Sequence, residues 1–145
     1  MSEDDCVIGF ARERKDVERC HEAMKGLWPE LKRDYFVSEV VRRLDKGYQL
    51  AFLEFGGEVK SVIGFRISVC FSRGKALYVE DFSTKPSEQS NGFGNRLFDW
   101  TRRHAIEQGC DWLHLDCQVQ NFKGVQFYSK KGMDITSYHF GMSLK

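Results

Sequence analysis

The sequence predicts a mixed α/β fold of the α+β class, a mixed sheet covered by helices, and three features of the 145-residue chain predict it. Two apolar-rich runs, "YQLAFLEF" and "VKSVIGFRISVCF", meet at Gly56-Gly57, a dipeptide that tight antiparallel hairpins favour. A third such run, "KALYVEDFST", gives way to a polar segment with Pro86 and then to Gly92 and Gly94, which open an amphipathic stretch; a strand there passes into a helix through a glycine turn. Helical and strand-like segments then alternate to the C-terminus, which sets helices against a sheet.

Each element has its own signal. Asp16 can cap a first helix, with Val17, Cys20, Met24 and Leu27 on one face and Pro29 ending or separating it. A second helix runs through "DYFVSEVVRRLDKG", with Phe36, Val40 and Leu44 as its buried stripe and Gly47 as its stop. Three strands follow, the third after a turn at Arg73-Gly74. The helix opened by the glycine turn continues to Gly109, with Phe93, Leu97, Trp100, Thr101 and Ala105 inward. "DWLHLDCQV" reads as another strand, "NFKGVQFYSKKG" as a short helix stopped by Gly132, and "DITSYHFGMSL" as a last strand. With no repeat, low-complexity tract or linker, residues 1–145 are expected to form a single domain with a real core.

Composition excludes several classes. A formal net charge of +1 gives no general attraction to nucleic acid or to an anionic membrane. No apolar run is long enough to span a bilayer, and "MSEDDCVIGF" does not read as a secretory signal. The five cysteines are odd in number and form no C-x-x-C pair, so neither a disulfide framework nor a metal site is expected; they read as small core residues of a cytoplasmic protein.

Two glycines alone fit a plain tight turn as well as a ligand site. A phosphate-binding P-loop would need Lys and then Ser or Thr where Asn95-Arg96 stands, and a dinucleotide fingerprint would want Gly or Ala at Leu97. The surroundings add more. Gln89-Ser90-Asn91-Gly92-Phe93-Gly94 fits Gln/Arg-x-x-Gly-x-Gly/Ala after a strand ending in Glu80-Asp81-Phe82, and Asn121-x-x-Gly124-x-x-Phe127-Tyr128 precedes "SKKGM". In this order and spacing the segments resemble the GNAT superfamily of acetyl-coenzyme A-dependent N-acetyltransferases, from about Gly9 to the C-terminus. "LYVEDF" and "QFYSKKG" look similar to segments of the diamine acetyltransferases, and the overall cadence is closer to small bacterial GNAT proteins.

The resemblance implies the GNAT fold, a mostly antiparallel sheet splayed at one strand pair. It implies acetyl-CoA as co-substrate and no metal. The N–H groups of Asn91, Gly92, Phe93, Gly94 and Asn95 would face the pyrophosphate at the positive end of a helix dipole, with glycine letting backbone come close. Gln89 stands where the family often has Arg, and Ser90 and Asn91 are likewise neutral. The backbone of Phe82, Ser83 and Thr84 would run along the pantetheine and supply an oxyanion donor. Glu80 would act as base for the amine, directly or through water. Asp81 would point to the other face of the strand, satisfied by Arg or Lys. Tyr128 would protonate the departing thiolate, and Asn121 would bond the pantetheine, cap its helix, or both. Asp34 and Glu39 are further acidic residues for the acceptor site. The expected acceptor is a small-molecule amine seated between the N-terminal helices and the sheet, with no nucleic-acid or membrane partner and, as relatives are often dimers, a homodimer among the assemblies open to it. A protein lysine or N-terminal acetyltransferase, and a non-catalytic acyl-CoA-binding module, are the alternatives.

Overall fold

The first regular element is a strand that the sequence reading missed. In the computed structural model, which describes residues 5–145, "CVIGF" forms β1 (Cys6–Phe10), although only a short apolar run marks it. The acidic opening Ser2-Glu3-Asp4 lies outside the described residues. The chain divides into two compact units, one ending at His114 and the other Leu115–Lys145.

In the first unit β1 pairs antiparallel with β2 (Gln49–Phe55), β2 with β3 (Glu58–Cys70), and β3 with β4 (Gly74–Thr84). Gly56 and Gly57 both take positive φ, +62° and +77°, so the β2–β3 hairpin forms where expected. Three helices lie between β1 and β2: α1 (Arg14–Arg19), α2 (His21–Met24) and α3 (Arg33–Leu44). The expected first helix is therefore two pieces, broken at Cys20; Glu13 precedes α1 without a capping bond, and Leu27 is 40% exposed. After β4 and one 3-10 turn at Pro86–Glu88, α4 (Phe93–Glu107) carries the chain to β5 (Trp112–Leu115), the last strand of the order β1-β2-β3-β4-β5. Asp111 N–H donates to the Lys75 carbonyl at 2.7 Å and the His114 ring sits 4.9 Å from that of Tyr78. The offset between partners is the same in both contacts, so β5 runs parallel to β4, and β4 continues from Tyr78 to Thr84.

Each face of this sheet has its own apolar layer. One packs Phe10, Phe65 and Phe82 against Trp100, His104 and Phe98 of α4. The other packs Tyr48, Leu50 and Val62 against Val17, Met24, Phe36 and Val40 of α1–α3.

The strict alternation expected of β4 fails at one place. Gly64 pairs with Asp81, but the next residue, Phe65, pairs with Val79, leaving Glu80 as an extra residue in a bulge. Phe82 faces α4 through Phe98, and Val79 shares a face with its partner Phe65, which packs on His104 of α4. Glu80 and Asp81 between them therefore both turn toward α3.

In the second unit α5 (Phe122–Lys130) forms as expected. The expected last strand does not: among the described residues no strand follows β5. Tyr138, Phe140, Met142 and Leu144 keep the period of two that suggested it, but are 85–91% exposed. Alternation states only which side chains would share a face, and no ladder forms in this unit to receive them. No helix of the described residues is long and apolar enough to cross a membrane.

Candidate functional site

A cavity of about 590 Å³ opens in the first unit between α3, the segment leading into it, and the sheet. Met24, Trp28 and Leu31 form one wall; Tyr35, Phe36, Glu39, Val40 and Arg43 of α3 form another; Tyr48 and Asp81 come from the sheet side. Asp81 accepts a hydrogen bond from the Tyr48 hydroxyl at 2.8 Å, and the Trp28 side chain lines the same cavity. Burial raises the Asp81 carboxyl above the ordinary aspartate range; Tyr48 opposes the shift by hydrogen bonding and the Glu80 charge adds to it. Tyr48 is pushed up too, by burial and by the Asp81 charge, so its hydroxyl stays a donor.

A glycine makes this contact possible. A Cβ at Gly64, across the ladder from Asp81, would lie 1.8 Å from the Tyr48 oxygen. Tyr48 thus crosses over a bare stretch of β3 to reach the carboxylate. A glycine inside a strand pattern is the sequence signal of such an approach.

Glu80 does not line the cavity. Its carboxylate takes a 2.6 Å bond from Arg66 Nε, while Arg66 also lies over the Tyr48 ring and donates to the Lys46 carbonyl at 2.7 Å. The two neighbouring carboxylates thus stand the other way round from expectation. Glu80 has the arginine, and Asp81, in the cavity, has the tyrosine. Glu39 also lines the cavity but is bonded by Arg42 at 2.6 Å, which holds its carboxyl below the usual range; Asp34 is not among the lining residues.

Ser83 and Thr84 are not solvent-facing strand-end residues. Ser83 is buried and its hydroxyl donates to the Ala23 carbonyl at 2.7 Å, tying β4 to α2; Ser61 donates to the Ser83 carbonyl and lies 3.0 Å from the Thr84 hydroxyl. Gly26 packs against this corner, where a Cβ would meet the Thr84 carbonyl at 2.1 Å. These side chains fix the strand end, and Phe82 in the same run packs on α4.

The two glycines of the turn have different reasons. Gly92 takes φ +78° at the N-cap of α4, a conformation that suits glycine. Gly94 is a close approach: a Cβ there would lie 3.0 Å from Thr84 Oγ1 and 3.5 Å from Phe82 Cζ. No side chain caps α4 and no acidic residue occupies its first turn, so its positive end is left without a counter-charge there. Phe93 is buried, Asn95 is exposed, and Ser90 is exposed in the turn. Asn91 donates to Glu88 at 2.5 Å and Gln89 to the Thr84 carbonyl at 3.4 Å, so both amides brace the turn. Arg96, which could have replaced the missing cation, donates to Cys6 Sγ at 2.8 Å.

In the second unit Asn121 caps α5, its carbonyl oxygen accepting from the Gly124 N–H at 3.0 Å. Gly124 is glycine because a Cβ would press on Asn121 and on Cys117 Sγ, the latter at 2.9 Å. Tyr128 stands edge-to-face with Phe127, centroids 5.3 Å apart, and burial pushes its hydroxyl up to about 12, with a smaller contribution from Cys117.

Comparison with known proteins identifies the class. Residues 1–133 match the model of the acetyltransferase (GNAT) family. The chain belongs to that family and is an acyltransferase. The fold superposes on an acetyltransferase of Trypanosoma brucei, with 21% identity over 97% of this chain and 100% of that one and a TM-score of 0.77. A glucosamine-6-phosphate N-acetyltransferase of Arabidopsis thaliana gives 21%, 97%, 99% and 0.73 in the same terms. AAC(6')-Iy, solved with the bisubstrate analogue CoA-S-monomethyl-acetylneamine, gives 16%, 97%, 98% and 0.80. Among curated protein sequences there is no match.

Proposed function

We propose that this chain moves an acetyl group from acetyl-CoA to a small-molecule primary amine by direct attack, with Asp81 as the base. The observation that carries the reading is a half-buried carboxylate facing a cavity of small-molecule size, oriented by the Tyr48 hydroxyl. An ammonium is mostly protonated at neutral pH, with an ordinary pKa near ~10.4, so a base must take its proton before attack. Burial makes Asp81 a stronger base than an exposed aspartate, and the Tyr48 hydroxyl holds it in one orientation. Glu80, the residue the family pattern pointed to, is proposed to act on Asp81 by charge alone, since Arg66 is bonded to it and it lies outside the cavity.

The turn fits a pyrophosphate. The first turn of α4 has neither cap nor carboxylate, and the space beside Gly94 is one that a side chain would crowd. Backbone N–H groups from Asn91 to Asn95 are proposed to hold it, with Gln89 and Ser90 shaping the loop. Acetyl-CoA, when bound, supplies an activated acyl carbon and a thiolate leaving group; CoA or a CoA analogue is bound in two structures of the neighbour AAC(6')-Iy. The backbone of Phe82, Ser83 and Thr84 is proposed to carry the pantetheine and one oxyanion donor, its side chains being committed to packing and to fixing the strand end. Asn121 is proposed to cap α5 and bond the pantetheine. The Tyr128 hydroxyl, kept protonated by its burial, is proposed to give its proton to the sulfur as the carbon–sulfur bond breaks. In this reading both units belong to one acetyltransferase domain.

The test measures thiol release from acetyl-CoA across polyamines, arylalkylamines, amino acids, amino sugars and peptides. Asp81→Asn should cut transfer by about 10²–10⁴-fold while leaving acetyl-CoA affinity unchanged. An Asn variant that transfers at the parent rate removes Asp81 from the chemistry.

A further inference from the structure

The charges and walls of the cavity carry more than the presence of a base. Resting on the reading of this cavity as the acceptor site, we infer that the acceptor carries a single ammonium on an apolar body of about aromatic size, and is neither a polyamine nor an amino sugar.

Of the lining carboxylates, Asp81 is bonded by one neutral donor, the Tyr48 hydroxyl, so its charge is left for a ligand. Glu39 has Arg42 at 2.6 Å and Arg43 at 3.5 Å. Glu30 is exposed to solvent, where salt screens it. The charged group inside the cavity that acts on Asp81 from α3 is Arg43, a cation. A diamine or longer polyamine with one nitrogen on Asp81 would bring its next ammonium into that field. An amino sugar would set its hydroxyls against Met24, Leu31, Phe36 and Val40, whose side chains cannot bond them. Large apolar side chains at this cavity are left uncovered: Trp28 is 56% and Tyr35 60% exposed. A flat apolar body would cover them, and an indole beside the carboxylate suits an ammonium on its ring face.

The same chemistry belongs to plain arylalkylamines and to aromatic α-amino acids, whose carboxylate Arg43 would receive. With saturating acetyl-CoA, phenethylamine or phenylalanine should exceed putrescine, spermidine and kanamycin in kcat/KM by about tenfold or more. A preference for phenylalanine that Arg43→Gln abolishes identifies the amino acid; no such preference identifies the plain amine. Arg43→Glu should shift the ratio toward putrescine by about tenfold or more. Phenethylamine should also perturb tryptophan fluorescence without any turnover, and Trp28→Phe should remove that signal. Transfer to polyamines or kanamycin in preference to both aromatic amines overturns the class and leaves small-amine acetylation standing. Transfer to no amine, or to peptide lysines alone, while acetyl-CoA still raises the melting temperature, overturns the small-amine reading and this inference with it.

Discussion

Replacing Gly64 with alanine tests whether the tyrosine–carboxylate pair is built as the geometry says. The new methyl would sit 1.8 Å from the Tyr48 oxygen, 2.4 Å from Cζ and 2.8 Å from Cε1. The ring is 2% exposed and lies among core residues of α1–α3, so moving it disturbs that packing. Overpacking a well-filled site costs about 1–3 kcal/mol. Displacing the ring also breaks the 2.8 Å bond to Asp81. A buried group left short of its partner costs about 1–3 kcal/mol more. The sum is about 2–6 kcal/mol; at roughly 2–4 °C per kcal/mol, its midpoint lowers Tm by about 8–16 °C. Urea unfolding of four proteins gives the answer: parent, Gly64→Ala, Tyr48→Phe and the double variant. The double variant should be more stable than the sum of the single losses allows, because removing the hydroxyl removes the closest clash. If Gly64→Ala lies within about 0.5 kcal/mol of the parent, the ring has space that the coordinates deny, and the account of Tyr48 fails.

Four further outcomes are expected. Acetyl-CoA at about 100 times its Kd should stabilise the folded chain by about 2.7 kcal/mol in a thermal-shift assay; no shift at millimolar concentration would remove the co-substrate from the proposal. Gly94→Val should weaken acetyl-CoA binding more than Gly92→Ala does, because Gly94 borders Thr84 and Phe82 while a Cβ at Gly92 meets nothing and costs only the strain of its positive φ, about 1–2 kcal/mol; calorimetric titration of both variants checks the order. Tyr128→Phe should keep affinity and slow transfer by about 10²–10⁴-fold, less for an acyl donor with a more acidic thiol, as stopped-flow thiol detection would show. Asp81→Asn should be as stable as the parent or more so near neutral pH. The Asp81 pKa is raised on folding, so the folded state holds this proton to higher pH than the unfolded chain does. The contribution to stability is therefore largest in acid and falls as pH rises from the ordinary aspartate range, about 3.9, through the raised value. Melting curves across that range should show the fall in the parent and its absence in the variant.

What the sequence disclosed and what it hid differ by range. Hairpin glycines, helix stripes and the glycine turn are local signals, set by φ and by side-chain period within a few residues, and the elements they imply formed: the Gly56-Gly57 hairpin, α3 with Phe36 and Val40 inward, and α4 behind Gly92. The last strand failed because period two in "SYHFGMSL" describes one chain, whereas a strand needs a second. β1 was overlooked because five residues beside an acidic stretch carry too little pattern of their own; only the register with Phe55 to Ala51 makes them a strand. The choice between two candidate bases was hidden for a related reason. "YVEDF" offers two adjacent carboxylates, and alternation says that one must face each way. The bulge between Gly64 and Phe65 cancels that rule by inserting Glu80, so both carboxylates turn toward α3 and the choice between them passes to their neighbours. Arg66 is two residues beyond Gly64 on β3 and Tyr48 lies just before β2 at the same end of that ladder, so nothing near Glu80 or Asp81 in sequence could say which would meet the arginine and which the tyrosine. One residue could have said it. An interior glycine in "VIGFRI" is poorly suited to a strand, and its bare Cα is what lets the Tyr48 hydroxyl reach Asp81. The tyrosine–carboxylate contact was legible there, at the residue with no side chain.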